Sequence, residues 1–373
     1  MRKSLYIILA GMLAFFTSCE KSPISLHEGQ PIYLSVSIPE LSQTKTPFEG
    51  SVPTSSNPLN VDVWASTTAS IFVNEGKDGS NAHGNVVAIH TAGHFQSGEP
   101  QLLSQAVYPP PRQSYGNEYT AAPVYFVSMY PQSTNDRKWT TSDGKQAVYT
   151  FSGCEDVMFA PQVFGAYDLK EQNQIVTSSP ELKFEHLLTR VTVKMGISLQ
   201  DGETLYDVQE AWGKIKGLSI QSYNKNDYVE NLNTVTVNLS KGDEFKYSED
   251  VNFSGQQNGS MNFFQLGTNE TFPADEGYLL TQNIDSVAYV ICAPVLATSQ
   301  SHEYVITIDT ENRGIQELKW DIEKTADSAQ GVGSTRGNHF LITIKFKKGR
   351  VIAMEAEVTE WKNGGFGLGN IED

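Results

Sequence analysis

The residue with the clearest chemistry is Cys19. It follows the small residues Thr17 and Ser18 at the end of an apolar run, the position where a lipoprotein signal peptidase cuts and the thiol takes up diacylglycerol. Phe16 stands where an aliphatic residue is usual, so an ordinary cleaved signal with an incidental cysteine is the other reading. His186 sits beside Glu185, a base next to a carboxylate. No nucleophile of recognisable context accompanies it, and a histidine bonded to backbone or packed at a domain join is the expectation. His83, His90 and His94 form the one histidine cluster, and positions 90 and 94 share a face in either helix or strand. Metal binding needs a third ligand and a rigid frame, and the glycine-rich, loop-like surroundings 74–98 predict surface histidines instead.

The remaining candidates are weaker. Cys154 and Cys292 read as two buried thiols, with a disulfide in an oxidising envelope as the alternative. The stretch Gly331-Val332-Gly333-Ser334-Thr335-Arg336-Gly337 resembles a phosphate loop in composition, but a strand pattern follows it, so no helix N-terminus faces a phosphate. The sequence holds no GxSxG, HExxH or P-loop pattern, and none of its 43 acidic residues stands out as half of a catalytic pair. Tyr108, Tyr115, Tyr119, Tyr125 and Tyr130 cluster around prolines; they read as core aromatics, or as loop aromatics that stack on sugars or anchor a protein. Asp285-Ser286-Val287 and Asp327-Ser328-Ala329 fit an Asp-Ser-aliphatic pattern for O-glycosylation. The expectation is a protein that is not an enzyme and uses no cofactor and no metal.

The elements that carry these residues begin with an export signal. Arg2 and Lys3 precede an apolar run from Leu5 to Phe16 that is too short for a permanent membrane helix. Residues 1–18 read as a lipoprotein signal peptide and 19–27 as a lipid-anchored tether. A net charge of −16 and a pI near 4.9 exclude nucleic acid and anionic lipid as natural partners, because both need clustered Lys and Arg. A chain of 373 residues exceeds what one core usually organises, which predicts two domains.

Period-two alternation dominates the rest. Ile32, Leu34, Val36 and Ile38 alternate with Tyr33, Ser35 and Ser37, and Pro31–Ile38 reads as an edge strand on a sandwich core. Val191, Val193, Met195, Ile197 and Leu199 alternate with Thr192, Lys194, Gly196 and Ser198, the pattern of a half-buried strand. Further runs lie at Thr234–Leu239, Tyr304–Asp309, Phe340–Phe346 and Val351–Val358, the last two joined as a hairpin through Lys347-Lys348-Gly349-Arg350. Leu205, Val208 and Trp212 are spaced for a short helix between Asp201 and Lys214. Turn chemistry between the runs makes the fold all-β and antiparallel. A turn-rich stretch from Lys170 to Pro180 separates residues 28–179, an N-terminal β-sandwich, from 180–373, a C-terminal one.

Three segments resemble the fimbrillin family. They are Leu182-Lys183-Phe184-Glu185-His186-Leu187-Leu188 running into Thr189-Arg190-Val191-Thr192-Val193; Glu155-Asp156-Val157-Met158-Phe159-Ala160; and Gly337-Asn338-His339-Phe340 entering closing strands that end near Trp361. The resemblance implies two transthyretin-like antiparallel β-sandwich domains in tandem, and a structural or adhesive subunit of cell-surface fimbriae. It implies partners among other pilus subunits or surface ligands, an outer-membrane or cell-surface location through a lipid anchor, and assembly by donor-strand exchange. Mapped onto this chain, the displaced strand carries Ile32, Leu34, Val36 and Ile38, and processing falls between Lys45 and Thr46. Family processing follows arginine, and this chain has none between Arg2 and Arg112. A lysine-directed protease, or an uncut anchor or stand-alone adhesin, are the open alternatives. As a donor the tail offers only Phe366 and Leu368 among glycines. A glycan-binding surface lipoprotein of a nutrient-uptake system is the alternative function.

Overall fold

The computed structural model describes residues 31–38, 53–67, 88–107, 113–115, 118–120, 123–135, 138–140, 145–165, 168–170, 174–176, 179–224, 227–228, 231–256, 260–294, 302–321, 336–349 and 351–360. Cys19, Lys45, Thr46, His83, Tyr108, Asp327, Phe366 and Leu368 lie outside these residues. Among the described residues, no helix is long and apolar enough to cross a membrane.

The architecture is all-β, built as packed antiparallel sheets. A first sheet runs in the order Glu185–His186, Met158–Gly165, Val124–Tyr130, Leu59–Ser66, Ala88–Phe95, antiparallel throughout. In a second, the order is Phe264–Gln265, Asp285–Cys292, Thr189–Ile197, Asn338–Phe346, Val351–Glu360. The third has Asp227–Tyr228, Lys214–Asn224, His302–Thr310 and Gly314–Asp321 in sequence across the sheet. A smaller bridging sheet lays Gln146–Thr150 beside Asn231–Asn238, with Val251–Gln256 beyond it. Pairings therefore run between strands on either side of residue 180. Alternation places Leu59, Val61, Val63 and Ala65 in one continuous apolar core with Val191, Val193, Ile306 and Phe340.

The runs read from the sequence form the strands Thr189–Ile197, Asn231–Asn238, His302–Thr310, Asn338–Phe346 and Val351–Glu360, and the last two pair as a hairpin. Two details differ. Thr189–Ile197 is buried on both faces rather than one, with Arg190 at 1% and Thr192 at 0% exposure. Its polar face is covered because the Arg190 guanidinium lies over the Tyr289 ring and Thr192 bonds His339. The same strand pairs in parallel with Asn338–Phe346, inside a sheet otherwise antiparallel.

The helix forms at Leu205–Trp212. Thr204 starts it with a capping box: its hydroxyl accepts from the Asp207 amide at 3.2 Å while the Asp207 carboxylate accepts from the Thr204 amide at 2.9 Å. Val208 and Trp212 face the core, and the Trp212 indole donates to the Lys347 carbonyl at 2.7 Å. Arg313 stacks over Trp212 and donates to the carbonyls of Lys348 and Gly349, tying the helix to the closing hairpin.

The Asp207 carboxyl is held down to about 2, first by the Thr204 hydroxyl and then by Lys348. A depressed acid contributes above its ordinary value of 3.8 and loses that contribution as pH falls toward 2. Thr204→Ala should therefore cost stability at neutral pH. Denaturant titrations should show that cost shrinking between pH 4 and 2 and constant above pH 5, a window set by the Asp207 shift.

Candidate functional site

The site begins with Pro31–Ile38. Ile32, Leu34, Val36 and Ile38 are buried, while Tyr33, Ser35 and Ser37 are half-exposed, as period two requires. Backbone bonds hold this segment on both flanks. On one side the Ile32 amide donates to the Val107 carbonyl at 2.8 Å, and Leu34 and Gln101 exchange bonds at 2.9 and 2.8 Å. On the other, Ser35–Ser37 ladders in parallel with Glu181–Lys183; the Ser35 amide donates to Pro180 and the Phe184 amide to Ser37. The edge-strand expectation is corrected accordingly: the segment 101–107 crosses its outer side. Below it, a Cβ on Gly165 would stand 3.3 Å from the Ile32 side chain, so that glycine makes room for the strand.

Behind this strand the three quoted segments meet. His186 lies opposite Met158, and Glu185 opposite Phe159, in the first sheet. The Gly337 amide donates to the Leu188 carbonyl, and His339 lies opposite Arg190 in the second. His186 Nδ1 stands 2.7 Å from Asp156 Oδ2, and both side chains are almost wholly buried. Arg336 donates to Glu185 at 2.8 Å and stacks 3.9 Å above the Tyr247 ring, whose hydroxyl donates to the Phe159 carbonyl. Burial pushes the Tyr247 phenol up, with Glu185 adding to the shift. His339 donates to or accepts from Thr192 Oγ1 at 2.9 Å. Its pKa is lowered to about 3, first by burial and then by Arg190.

This constellation locks elements together, and its one hydroxyl beside an imidazole among the described residues, Thr192 at His339, is buried away from any substrate. His186 is buried where these strands meet, and its side-chain neighbour is Asp156 of the preceding segment. Nothing in the spacing of positions 156 and 186 points to that contact; only strand register reveals it. Gln101 and Val107 were equally invisible, because they hold the first strand through backbone groups.

The other candidates disperse. His90 and His94 are not on a loop: they sit on the strand Ala88–Phe95, paired with Trp64 and Asn60. His90 stacks on Trp64 at 4.4 Å and meets Asp62 at 3.2 Å, and His94 bonds Asn60. Among the described residues, no three His, Cys, Asp or Glu side chains converge as metal ligands. Cys154 and Cys292 are buried free thiols, and burial pushes Cys292 up to about 12. Tyr125 and Tyr130 pack against the core. Ser286 is half-exposed near the start of Asp285–Cys292.

No family model and no curated protein matches this chain. Among solved structures it is similar to a candidate cell adhesion protein from Bacteroides uniformis, at 18% identity and a TM-score of 0.44, over 89% of this chain and 98% of that one. It is also similar to a candidate polysaccharide-binding protein from Bacteroides thetaiotaomicron, at 9% identity and a TM-score of 0.43, over 88% of this chain and 96% of that one. The fimbrial anchor protein of Porphyromonas gingivalis is similar at 11% identity and a TM-score of 0.38, over 88% of this chain and 98% of that one.

Two measurements check the junction. Asp156→Ala leaves His186 buried without its carboxylate and should cost about 1–3 kcal/mol, read by denaturant unfolding. For His339 the sign is the same as for Asp207, in a higher window: a lowered histidine pKa means the unfolded chain takes the proton first, so stability falls as pH drops from 6.5 toward 3. His339→Gln should flatten that acid slope in a series of melts.

Proposed function

We propose that this chain is a structural or adhesive subunit of cell-surface fimbriae, exported as a lipoprotein acylated on Cys19, with Pro31–Ile38 as a displaceable first strand. The observation that carries the reading is the seat of that strand. Four alternating apolar side chains fill it, and hydrogen bonds line both its flanks. A seat of this kind accepts any extended segment with the same alternation, since main-chain bonds supply affinity and alternate pockets supply selectivity. The proposal keeps two sandwich units, 28–179 and 180–373, with Glu181–Lys183 and Glu185–His186 of the second laid into the sheets of the first. Release follows cleavage between Lys45 and Thr46, after which a strand from another subunit takes the seat. The uncut form of the same molecule is a lipid-held anchor or adhesin. Partners are other pilus subunits or surface ligands, and no catalysis is part of the proposal.

Burying four such side chains contributes about 6–12 kcal/mol, comparable with the whole stability of a domain. The amino terminus of protein from native cells separates the two forms: acylated Cys19 means uncut, Thr46 means processed. Cutting the full chain after Lys45 and removing the strand should lower the melting temperature sharply, and a synthetic peptide spanning residues 28–45 should restore it. Unchanged melting after the cut ends the displaceable-strand reading. Leu34→Ala alone should cost about 2–5 kcal/mol, measured by urea denaturation of the intact chain.

A further inference from the structure

We infer that the outer edge of the third sheet is a self-association surface, on which Gly314–Asp321 pairs antiparallel with the same strand of a second copy of this chain. The strand is last in its sheet, and no described strand bonds its outer side. Its inner ladder runs unbroken from Thr310↔Gly314 to Glu303↔Asp321, whereas the Lys214–Asn224, Asn231–Asn238 and Asn338–Phe346 ladders each carry a register shift. Exposed edges are commonly blunted by a bulge, a proline or charge. This one, Gly-Ile-Gln-Glu-Leu-Lys-Trp-Asp, has no proline and no bulge. It has charge, in Glu317 and Lys319, both exposed on the same face as Ile315.

Those charges select the partner. Two antiparallel copies of a strand are related by a two-fold axis normal to the sheet, so each residue lies opposite one from its own face. Centred on Leu318, the register sets Glu317 opposite Lys319 of the second copy, and Lys319 opposite Glu317. One step either way sets Glu317 against Glu317 or Lys319 against Lys319, which like-charge repulsion disfavours. In the centred register the Lys319 stem of the second copy also lies diagonal to Ile315, which is 66% exposed, and its methylenes cover that side chain. One strand pair buries little area, so the association is weak and depends on local concentration.

The test uses the full chain. Leu318 faces itself across the axis, so Leu318→Cys should give a disulfide-linked dimer under mild oxidation in a chain that also carries Cys19→Ser, while the Cys19→Ser chain alone, whose Cys154 and Cys292 are buried, is the control. Adding Glu317→Lys should cut the yield on the order of tenfold, and further adding Lys319→Glu should restore it. Should Leu318→Cys fail to fold, sedimentation of the parent, Glu317→Lys and Glu317→Lys/Lys319→Glu chains reads the same register. Self-association that ignores the single reversal, that the double exchange fails to restore, or that is missing from the parent overturns the inference.

Discussion

Buried amides and carbonyls must find partners, and removing a strand from the middle of a bonded arrangement leaves two unsatisfied rows instead of one. That constraint governs the region around residues 31–38. The segment joins 101–107 to 180–184 through its own backbone and seals the space between them with four apolar side chains. With it in place, Leu182 and Phe184 are covered and the short strand Glu185–His186 can finish the first sheet. The junction, from the His186–Asp156 contact to Arg336 on Tyr247, follows directly along the chain from the strand Glu181–Lys183 that this segment pairs with.

The polar groups of the junction serve register rather than reaction. A one-residue slip in a strand turns every side chain to the opposite face. His186 must meet Asp156, Arg336 must reach Glu185, and His339 must meet Thr192, all at once. Each pairing fixes one strand against another, and together they leave a single arrangement that satisfies all three. Buried polar contacts of this sort add little net energy but disfavour alternatives, because a misregistered charge stays buried without its partner.

Much of this was legible in the sequence where the signal was local. The alternation at 32–38 and 189–197, the hairpin around Gly349, and the spacing of Leu205, Val208 and Trp212 each depend on residues close together, and each became the expected element. What the sequence concealed was nonlocal. The outer cover on the first strand comes from backbone atoms of Gln101 and Val107, which carry no side-chain signature. The histidines at 90 and 94 sit among glycines that look like loop, yet Gly93 is a strand residue whose missing side chain leaves room for Phe95 and Val61. Likewise Thr192 looks solvent-facing by alternation and is buried beside the His339 ring of the neighbouring strand.

The parallel pairing of Thr189–Ile197 with Asn338–Phe346 has a consequence for how the molecule is made. The middle of the second sheet cannot close until residues up to Phe346 have been synthesised, since its two central strands lie far apart in the order of translation. Long-range closure of this kind is slow and leaves apolar edges open meanwhile.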